Sequence, residues 1–308
     1  MSAAITVVGS LNMDFVVSTQ SLPAPGATVL GTGFRMMPGG KGANQACAAA
    51  RLAKSTPVRM IGCTGYDLFA DHLKASLSSA GVDIRYVRAT RSAPTGVALI
   101  TVGPGGQNTI VVAPGANHAL LFEDVEAMRP AFQNAAFVLL QLEIPLPTVE
   151  VALRLARRTD AMTMLDPAPA QPLRSEMLRE VSLLTPNESE VCALLDRRPA
   201  RMVPSEAADA ARALLRRGPR AVVVKMGDRG CFYADNGSEI YCPAFPVEAV
   251  DATAAGDTFN AALAVAQCEG LPVADALRFA NAAGAMSVTR AGAQASVPTR
   301  AEVEALLA

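Results

Sequence analysis

The sequence has no tryptophan, four tyrosines and two histidines in 308 residues. That leaves little material for an apolar pocket around a nucleoside base. It has almost no net charge: 27 Lys and Arg against 28 Asp and Glu give −1 with both His neutral. No global basic field exists to hold nucleic acid or an anionic membrane. The pairs Arg157-Arg158, Arg197-Arg198 and Arg216-Arg217 read as solvated helix ends. The six cysteines, at 47, 63, 192, 231, 242 and 268, form no C-x-x-C and have no neighbouring His. Zinc spacing and a small disulfide framework are both excluded, and a reduced cytosol fits best. No basic residue precedes Arg35, so a secretory signal or transit peptide is not expected. The apolar run 135–140 stops at Gln141, far short of the ~18 residues a membrane span needs. Gly (23) and Pro (21) are together about one residue in seven, which argues against extended disorder. A cytoplasmic protein that binds neither nucleic acid nor membrane is expected, with one large α/β domain or two smaller ones.

What the sequence does have is rhythm. Short apolar runs at 5–8, 60–63, 137–140, 162–165, 181–184 and 222–224 read as buried strands. Ala- and Leu-rich stretches of helical period at 46–53, 149–158 and 207–216 lie among them, so the repeating unit is β-α-β. A central, mostly parallel sheet with helices on both faces follows. Residues 15–37 and 95–113 break the rhythm with β-rich runs separated by Pro and Gly turns. They read as antiparallel strands of a small β lid, or as two surface hairpins that cover nothing.

In an open parallel sheet, ligands bind beyond the carboxyl ends of the strands. The residues that follow the apolar runs there include Asn12 and Asp14, Gln141 and Glu143, Asp166, Asn187, and Lys225. Each alone suits a turn; together they suit a polyhydroxylated ligand.

Three segments carry more. In Pro38-Gly39-Gly40-Lys41-Gly42-Ala43-Asn44-Gln45-Ala46, glycines allow close backbone approach while Lys41 and Asn44 supply donors. Gly42 after Lys41 rules out the G-x-x-x-x-G-K-[ST] phosphate loop, and no G-x-G-x-x-G follows a strand. In 251–260, the small residues Ala254, Ala255 and Gly256 at a helix start leave backbone N–H groups free to face an anion. Asp257 beside them is either a proton acceptor for an attacking hydroxyl or simply the helix N-cap. Asn187 with Glu190 reads as a capping box, or as a nucleotide-side pair in which Glu190 holds a water on Mg²⁺.

In this order and at these positions, the segments resemble the PfkB or ribokinase family of carbohydrate kinases. The match runs from Gly9-Ser10-Leu11-Asn12-Met13-Asp14 to the 289–298 segment, and Asp166-Pro167-Ala168-Pro169-Ala170 is similar to the Asn-Pro-Ala-Pro-Ala of its members. The resemblance implies a single ribokinase-like α/β domain over 1–308 with lid inserts near 15–37 and 95–113. It implies ATP-dependent phosphorylation of D-ribose at the 5-hydroxyl, or of deoxyribose, fructose, a sugar acid or adenosine. It makes Asp257 the catalytic base, with the amides of Ala254, Ala255, Gly256 and Asp257 as anion hole. Asn12, Asp14, Gly40, Lys41, Gly42, Ala43, Asn44 and Glu143 would bind the sugar. Asn187, the loop Lys225, Met226, Gly227, Asp228, Arg229 and Gly230, Gly256, Asp257 and Asn281 would bind the nucleotide. Glu190 would sit near Mg²⁺ or another divalent cation. A K⁺ activator would lie at Asp251, Thr253, Ser287, Arg290, Gly292 and Ser296, and a homodimer would form through the lid.

Three positions depart from the family pattern. Lys225 stands where Thr is frequent, Asn281 where His is frequent near the adenine, and Asp166 where Asn is frequent. An added carboxylate at 166 would repel ATP unless it is paired or faces elsewhere.

Overall fold

The computed structural model describes residues 3–104 and 107–308. Met1 and Ser2 of the expected 1–308 domain, and Gly105 and Gly106 of the 95–113 insert, lie outside the described residues. The strands are β1 (Ala4–Val8), β2 (Asn12–Thr19), β3 (Gly31–Gly39), β4 (Val58–Thr64), β5 (Asp83–Ala89), β6 (Gly96–Val102), β7 (Asn108–Ala113), β8 (Ala135–Leu140), β9 (Met162–Leu165), β10 (Leu183–Leu184), β11 (Ala221–Lys225), β12 (Cys231–Asp235) and β13 (Glu239–Cys242). The helices are α1 (Lys41–Leu52), α2 (Leu68–Ser79), α3 (Phe122–Ala127), α4 (Leu146–Arg158), α5 (Ser175–Leu178), α6 (Glu188–Leu194), α7 (Pro204–Leu215), α8 (Ala255–Cys268), α9 (Val273–Ser287) and α10 (Arg300–Leu307).

Nine strands form one sheet in the order β13-β12-β11-β10-β9-β8-β1-β4-β5. Successive residues of a strand point to opposite faces, so each apolar run feeds two cores. Ile5, Val7, Leu139 and Val223 join the cluster under α1, α2, α8 and α9. Val8, Val138, Leu140, Val222 and Val224 join the cluster under α4 to α7. From β5 to β11 the pairing is parallel. β11, β12 and β13 then finish the edge with antiparallel pairs, a hairpin absent from the sequence reading. The expected strand at 181–184 shrinks to Leu183–Leu184, because Val181 N–H closes the end of α5 on Leu178 O (3.1 Å).

The two β-rich inserts form a second sheet, ordered β3-β2-β6-β7. Their strands at Asn12–Thr19 and Gly31–Gly39 pass both ends of the expected 15–37 span. β2 and β6 pair in parallel, which corrects the purely antiparallel expectation. Both inserts leave the main domain from the same edge and set out in the same direction, so their first strands must run alongside each other. Arg217 also differs from the expected solvated helix end: it is half-buried, and its guanidinium donates to Leu194 O and Leu173 O. Among the described residues, no helix is long and apolar enough to cross a membrane.

Candidate active site

The carboxyl ends of β1, β8, β9, β10 and β11 meet the N-termini of α1 and α8, and the polar residues of the sequence reading gather there. α8 begins at Ala255 with Ala254 as N-cap, in the left-handed region at φ 59°. Such a conformation is costly outside glycine and is held here by its surroundings. The first i→i−4 bond of the helix runs from Thr258 N–H to Ala254 O (2.9 Å). The amides of Gly256 and Asp257 precede it and lie in the turn where the helix dipole favours an anion. Ala255 N–H is less open, since it donates to Ala252 O at 3.3 Å.

Asp257 is therefore inside the first turn and does not cap the helix. Its carboxylate is buried and accepts from Asn44 Nδ2 (3.0 Å) and Gln45 Nε2 (3.0 Å), both on α1. Burial lifts its pKa above the ordinary carboxylate range; the Lys41 charge opposes the shift, and Asp166 adds to it. Burial works against the Lys41 ammonium, but Asp257, Asp166, Glu143 and Glu190 hold its pKa above the usual lysine value.

Gln45, quoted in the sequence motif without a role, is a hub. Its Nε2 also donates to Asp166 Oδ2 (3.2 Å), and its Oε1 accepts from Gln141 Nε2 (2.7 Å). Asp166 Oδ1 accepts from Lys225 Nζ at 3.0 Å. Two of the departures noted in the sequence thus compensate each other: the extra carboxylate is paired, and the extra lysine is its partner.

At the junction with the smaller sheet, Glu143 Oε2 accepts from Ser10 Oγ, from Lys41 N–H (3.2 Å) and from Asn12 Nδ2 (3.4 Å). Asn12 pairs in register with Gly39 on one side and Gly96 on the other. Asn117 was missed by sequence reasoning, yet it donates to Asn12 Oδ1 (2.7 Å) and bonds both backbone groups of Leu11. No local pattern marks it, since it lies 105 residues from Asn12. The bare backbone of Gly39 lets Asp14 lie against it: a Cβ there would be 2.1 Å from Asp14 Oδ2. Burial, then the charges of Glu143 and Asp257, raise Asp14 to about 7. Gly42 and Ala43 are buried against β1: Gly42 N–H donates to Ser10 Oγ (3.3 Å) and Ala43 N–H to Ser10 O (2.9 Å).

A cavity of ≈ 680 Å³ opens from this point, bounded by Lys41, Asp166, Asn187, Glu190, Lys225 and the 254–257 turn. Its volume falls within the range of small-molecule and cofactor sites. The capping box forms: Asn187 Oδ1 accepts from Glu190 N–H (2.9 Å), and Glu190 accepts from Asn187 N–H (2.7 Å) and Nδ2 (2.8 Å). Both residues also face the cavity, so capping and ligand contact are not exclusive. In the 225–230 loop, Gly227 lines the cavity while the Met226 side chain is buried in the core. Asp228 pairs with Arg201 (2.5 Å), and Arg229 pairs with Glu188 (2.7 Å). Gly230, at φ 86°, packs so closely on Cys242 O that a Cβ would meet it at 2.1 Å. Asn281 spends its amide protons on Cys242 O (3.0 Å) and Pro243 O (3.1 Å), keeping only its oxygen for a ligand.

Among the described residues, no group of three or more His, Cys, Asp or Glu side chains could hold a metal ion. Glu190, a carboxylate on the cavity wall, would suit a water-bridged Mg²⁺, a cation that keeps several waters and binds few carboxylates directly. Among the residues expected to hold a monovalent cation, Asp251 Oδ1 accepts from Thr253 N–H (2.9 Å) and Oγ1 (2.6 Å), and Oδ2 from Gly292 N–H (2.8 Å). Val288 O accepts from Asp251 N–H (3.1 Å), so two loops rich in backbone carbonyls are laced together. Ser287 and Ser296 spend their hydroxyl protons on Gly284 O and Ala293 O. Arg290 pairs with Glu302 and would offer a cation only its carbonyl.

A model of the family described as pfkB family carbohydrate kinase matches residues 2–300. A ribokinase of Bacillus subtilis (strain 168) is 41% identical over 303 residues, spanning 98% of this chain and 99% of its own length. A ribokinase from Thermotoga maritima has a TM-score of 0.88 at 40% identity, with 99% of each chain covered. An Arabidopsis thaliana ribokinase complexed with ribose and ATP has a TM-score of 0.91 at 33% identity, over 100% of this chain and 99% of that one.

Proposed function

The chain belongs to the pfkB family of carbohydrate kinases, and from that premise we propose that it transfers the γ-phosphoryl group of ATP to the 5-hydroxyl of D-ribose, giving D-ribose 5-phosphate and ADP. The observation that carries the mechanism is the buried Asp257 carboxylate in the first turn of α8, held by Asn44 and Gln45 on the wall of the cavity. Sugar O5 attacks Pγ and passes its proton to Asp257. The bond from Pγ to the β,γ-bridging oxygen breaks, and its electron pair leaves with ADP. The Gly256 and Asp257 amides, with the Lys41 ammonium, stabilise the charge on the transferring group.

Asn12, Asp14, Gly40, Lys41, Asn44 and Glu143 bind the sugar hydroxyls. A site of paired carboxylates and amides discriminates strongly against analogues that lack a hydroxyl, because its polar groups are then left unpaired. Gly42 and Ala43 shape this site through their packing on Ser10. Asn187, Lys225, Gly227 and Gly256 line the cavity and border the nucleotide, whereas Met226, Asp228, Arg229, Gly230 and Asn281 stand outside its lining. Glu190 would hold Mg²⁺ through a water, and the cation would supply charge neutralisation to the phosphates. Asp251, Thr253, Ser287, Arg290, Gly292 and Ser296, several of them through backbone carbonyls, would hold a K⁺ activator.

The smaller sheet is the lid. It excludes water and couples sugar binding to transfer. It also supports a homodimer with a second copy of this chain: Phe34, Leu99, Ile110 and Val111 are all more than half exposed, although adjacent strand residues face opposite sides. An apolar sheet open on both faces is the kind of surface that a partner covers.

The test is a panel of D-ribose, deoxyribose, fructose and adenosine with ATP and Mg²⁺, with and without K⁺. Ribose is expected to give the highest kcat/KM, and K⁺ to raise turnover. Another acceptor leading the panel would overturn the ribose assignment.

A further inference from the structure

The Asp166–Lys225 pair is nearly buried, with side-chain exposures of 4% and 12%. Ion pairs of this kind rarely add stability against a well-packed apolar replacement, because desolvating two charges is costly. Its position points to another use. Lys225 Nζ lies 3.3 Å from the point where a Cβ on Gly256 would stand, so the ammonium faces the turn whose amides await an anion. One of its three N–H donors goes to Asp166 Oδ1 (3.0 Å), and the side chain borders the cavity beside Lys41 and Asp257. Asp166 cannot drift, because Gln45 holds its other oxygen at 3.2 Å and Gln141 orients Gln45 at 2.7 Å.

From this geometry we infer that Lys225 is a catalytic cation that contacts the γ-phosphoryl group during transfer, and that Asp166 is the positioning residue that aims it. The inference rests on the kinase reading and extends it. The side chain exchanges no proton: O5 gives its proton to Asp257, the bridging oxygen keeps the electron pair, and Lys225 stays an ammonium throughout. Two lysines, one from α1 and one from the end of β11, then flank the transferring group. The pair also resolves the charge problem of Asp166. Without its partner, that carboxylate would be an uncompensated anion on the phosphate route, one glutamine away from the catalytic base.

The experiment compares Lys225→Met, Asp166→Asn and the double variant with the unaltered protein. Lys225→Met is expected to lower kcat about 10²-fold, the usual scale for losing one group that stabilises transition-state charge, with the KM for sugar nearly unchanged. The double variant removes the stranded carboxylate and should recover part of the loss, yet stay at least about tenfold below the unaltered protein. Full recovery would overturn the inference, since Lys225 would then merely neutralise Asp166. Binding supplies the second readout. Lys225→Met should weaken a non-hydrolysable ATP analogue while leaving ADP affinity unchanged, and an equal loss for both would place the contact on the diphosphate and overturn the inference. All three variants are checked for native circular dichroism. The nucleotide-binding arm does not depend on the sugar, so failure of the unaltered protein to phosphorylate ribose would sink the sugar assignment alone.

Discussion

Asn44 Nδ2 donates to Asp257 Oδ2 at 3.0 Å, joining the first turn of α1 to the first turn of α8 across 213 residues of sequence. The bond does two things. It holds the carboxylate beside the open amides, and it favours the ionised form against the burial that raises its pKa.

Asp257→Asn should keep the fold and the sugar affinity, because an amide occupies the same space. Turnover should fall by about 10²–10⁴-fold as the proton acceptor disappears. Steady-state kinetics and calorimetric ribose binding check both halves. Turnover within a few-fold of the unaltered protein would mean that another group takes the proton. In the unaltered protein only the ionised carboxylate accepts, so kcat/KM should rise with pH through a value above the ordinary aspartate pKa.

Gln45→Leu removes the donor shared by Asp166 and Asp257 and strands Gln141 Nε2. Leaving such buried groups unsatisfied costs about 1–3 kcal/mol each. Urea unfolding should show a loss of at least that size. An unchanged midpoint would show that the network contributes nothing to stability.

Gly40 caps α1 at φ 89°, and a Cβ there would lie 2.6 Å from Asn12 N. Gly40→Ala therefore meets both a disfavoured backbone conformation, about 1–3 kcal/mol, and a collision with the strand that carries Asn12. Reduced stability together with a raised KM for ribose is the expected pair of effects. A normal KM would separate this glycine from the sugar site.

Asp14 titrates near 7 in the folded chain against 3.8 for an unperturbed aspartate. Between those values the folded state holds a proton that the unfolded state has lost. Stability should therefore fall as pH rises from about 4 to 7, by up to about 1.4 kcal/mol per pH unit from this group. Asp14→Asn should remove that slope. Matching pH–stability curves for the two proteins would refute the assignment.

Asp251→Ala removes three hydrogen bonds, two from Thr253 within the 251–253 segment and one from Gly292 N–H that ties the segment to the 292 loop. With the lacing gone, the carbonyls proposed for K⁺ lose their arrangement. Turnover in K⁺ should drop to the level seen in choline, measured in parallel on both proteins. Persistent K⁺ activation would place the monovalent site elsewhere.

The strand–helix alternation, the rim residues after each strand and the small-residue start of α8 were legible because each is a local pattern. Strand periods, breaker residues and caps depend on neighbours a few positions away. The parallel pairing of β2 with β6 was not legible, because it follows from where two inserts separated by most of the N-terminal half leave the main sheet. The β12–β13 hairpin was also missed, since its first strand, Cys231-Phe232-Tyr233-Ala234-Asp235, continues closely from β11 and shows no separate period.

By itself, the amino-acid order determined the layered α/β architecture and the edge of the sheet at which the polar residues and the cavity gather, because hydrophobic period and connection handedness leave few alternatives. It placed Asp257 at a helix start but left its role open between cap and base. Only the tertiary structure ruled out the cap, by setting Ala254 in that place and turning Asn44 and Gln45 onto the carboxylate. It decided likewise that Asp166 and Lys225, 59 residues apart, are partners. A charge in the sequence carries no record of its counter-charge; packing alone selects which distant group stands close enough to answer it.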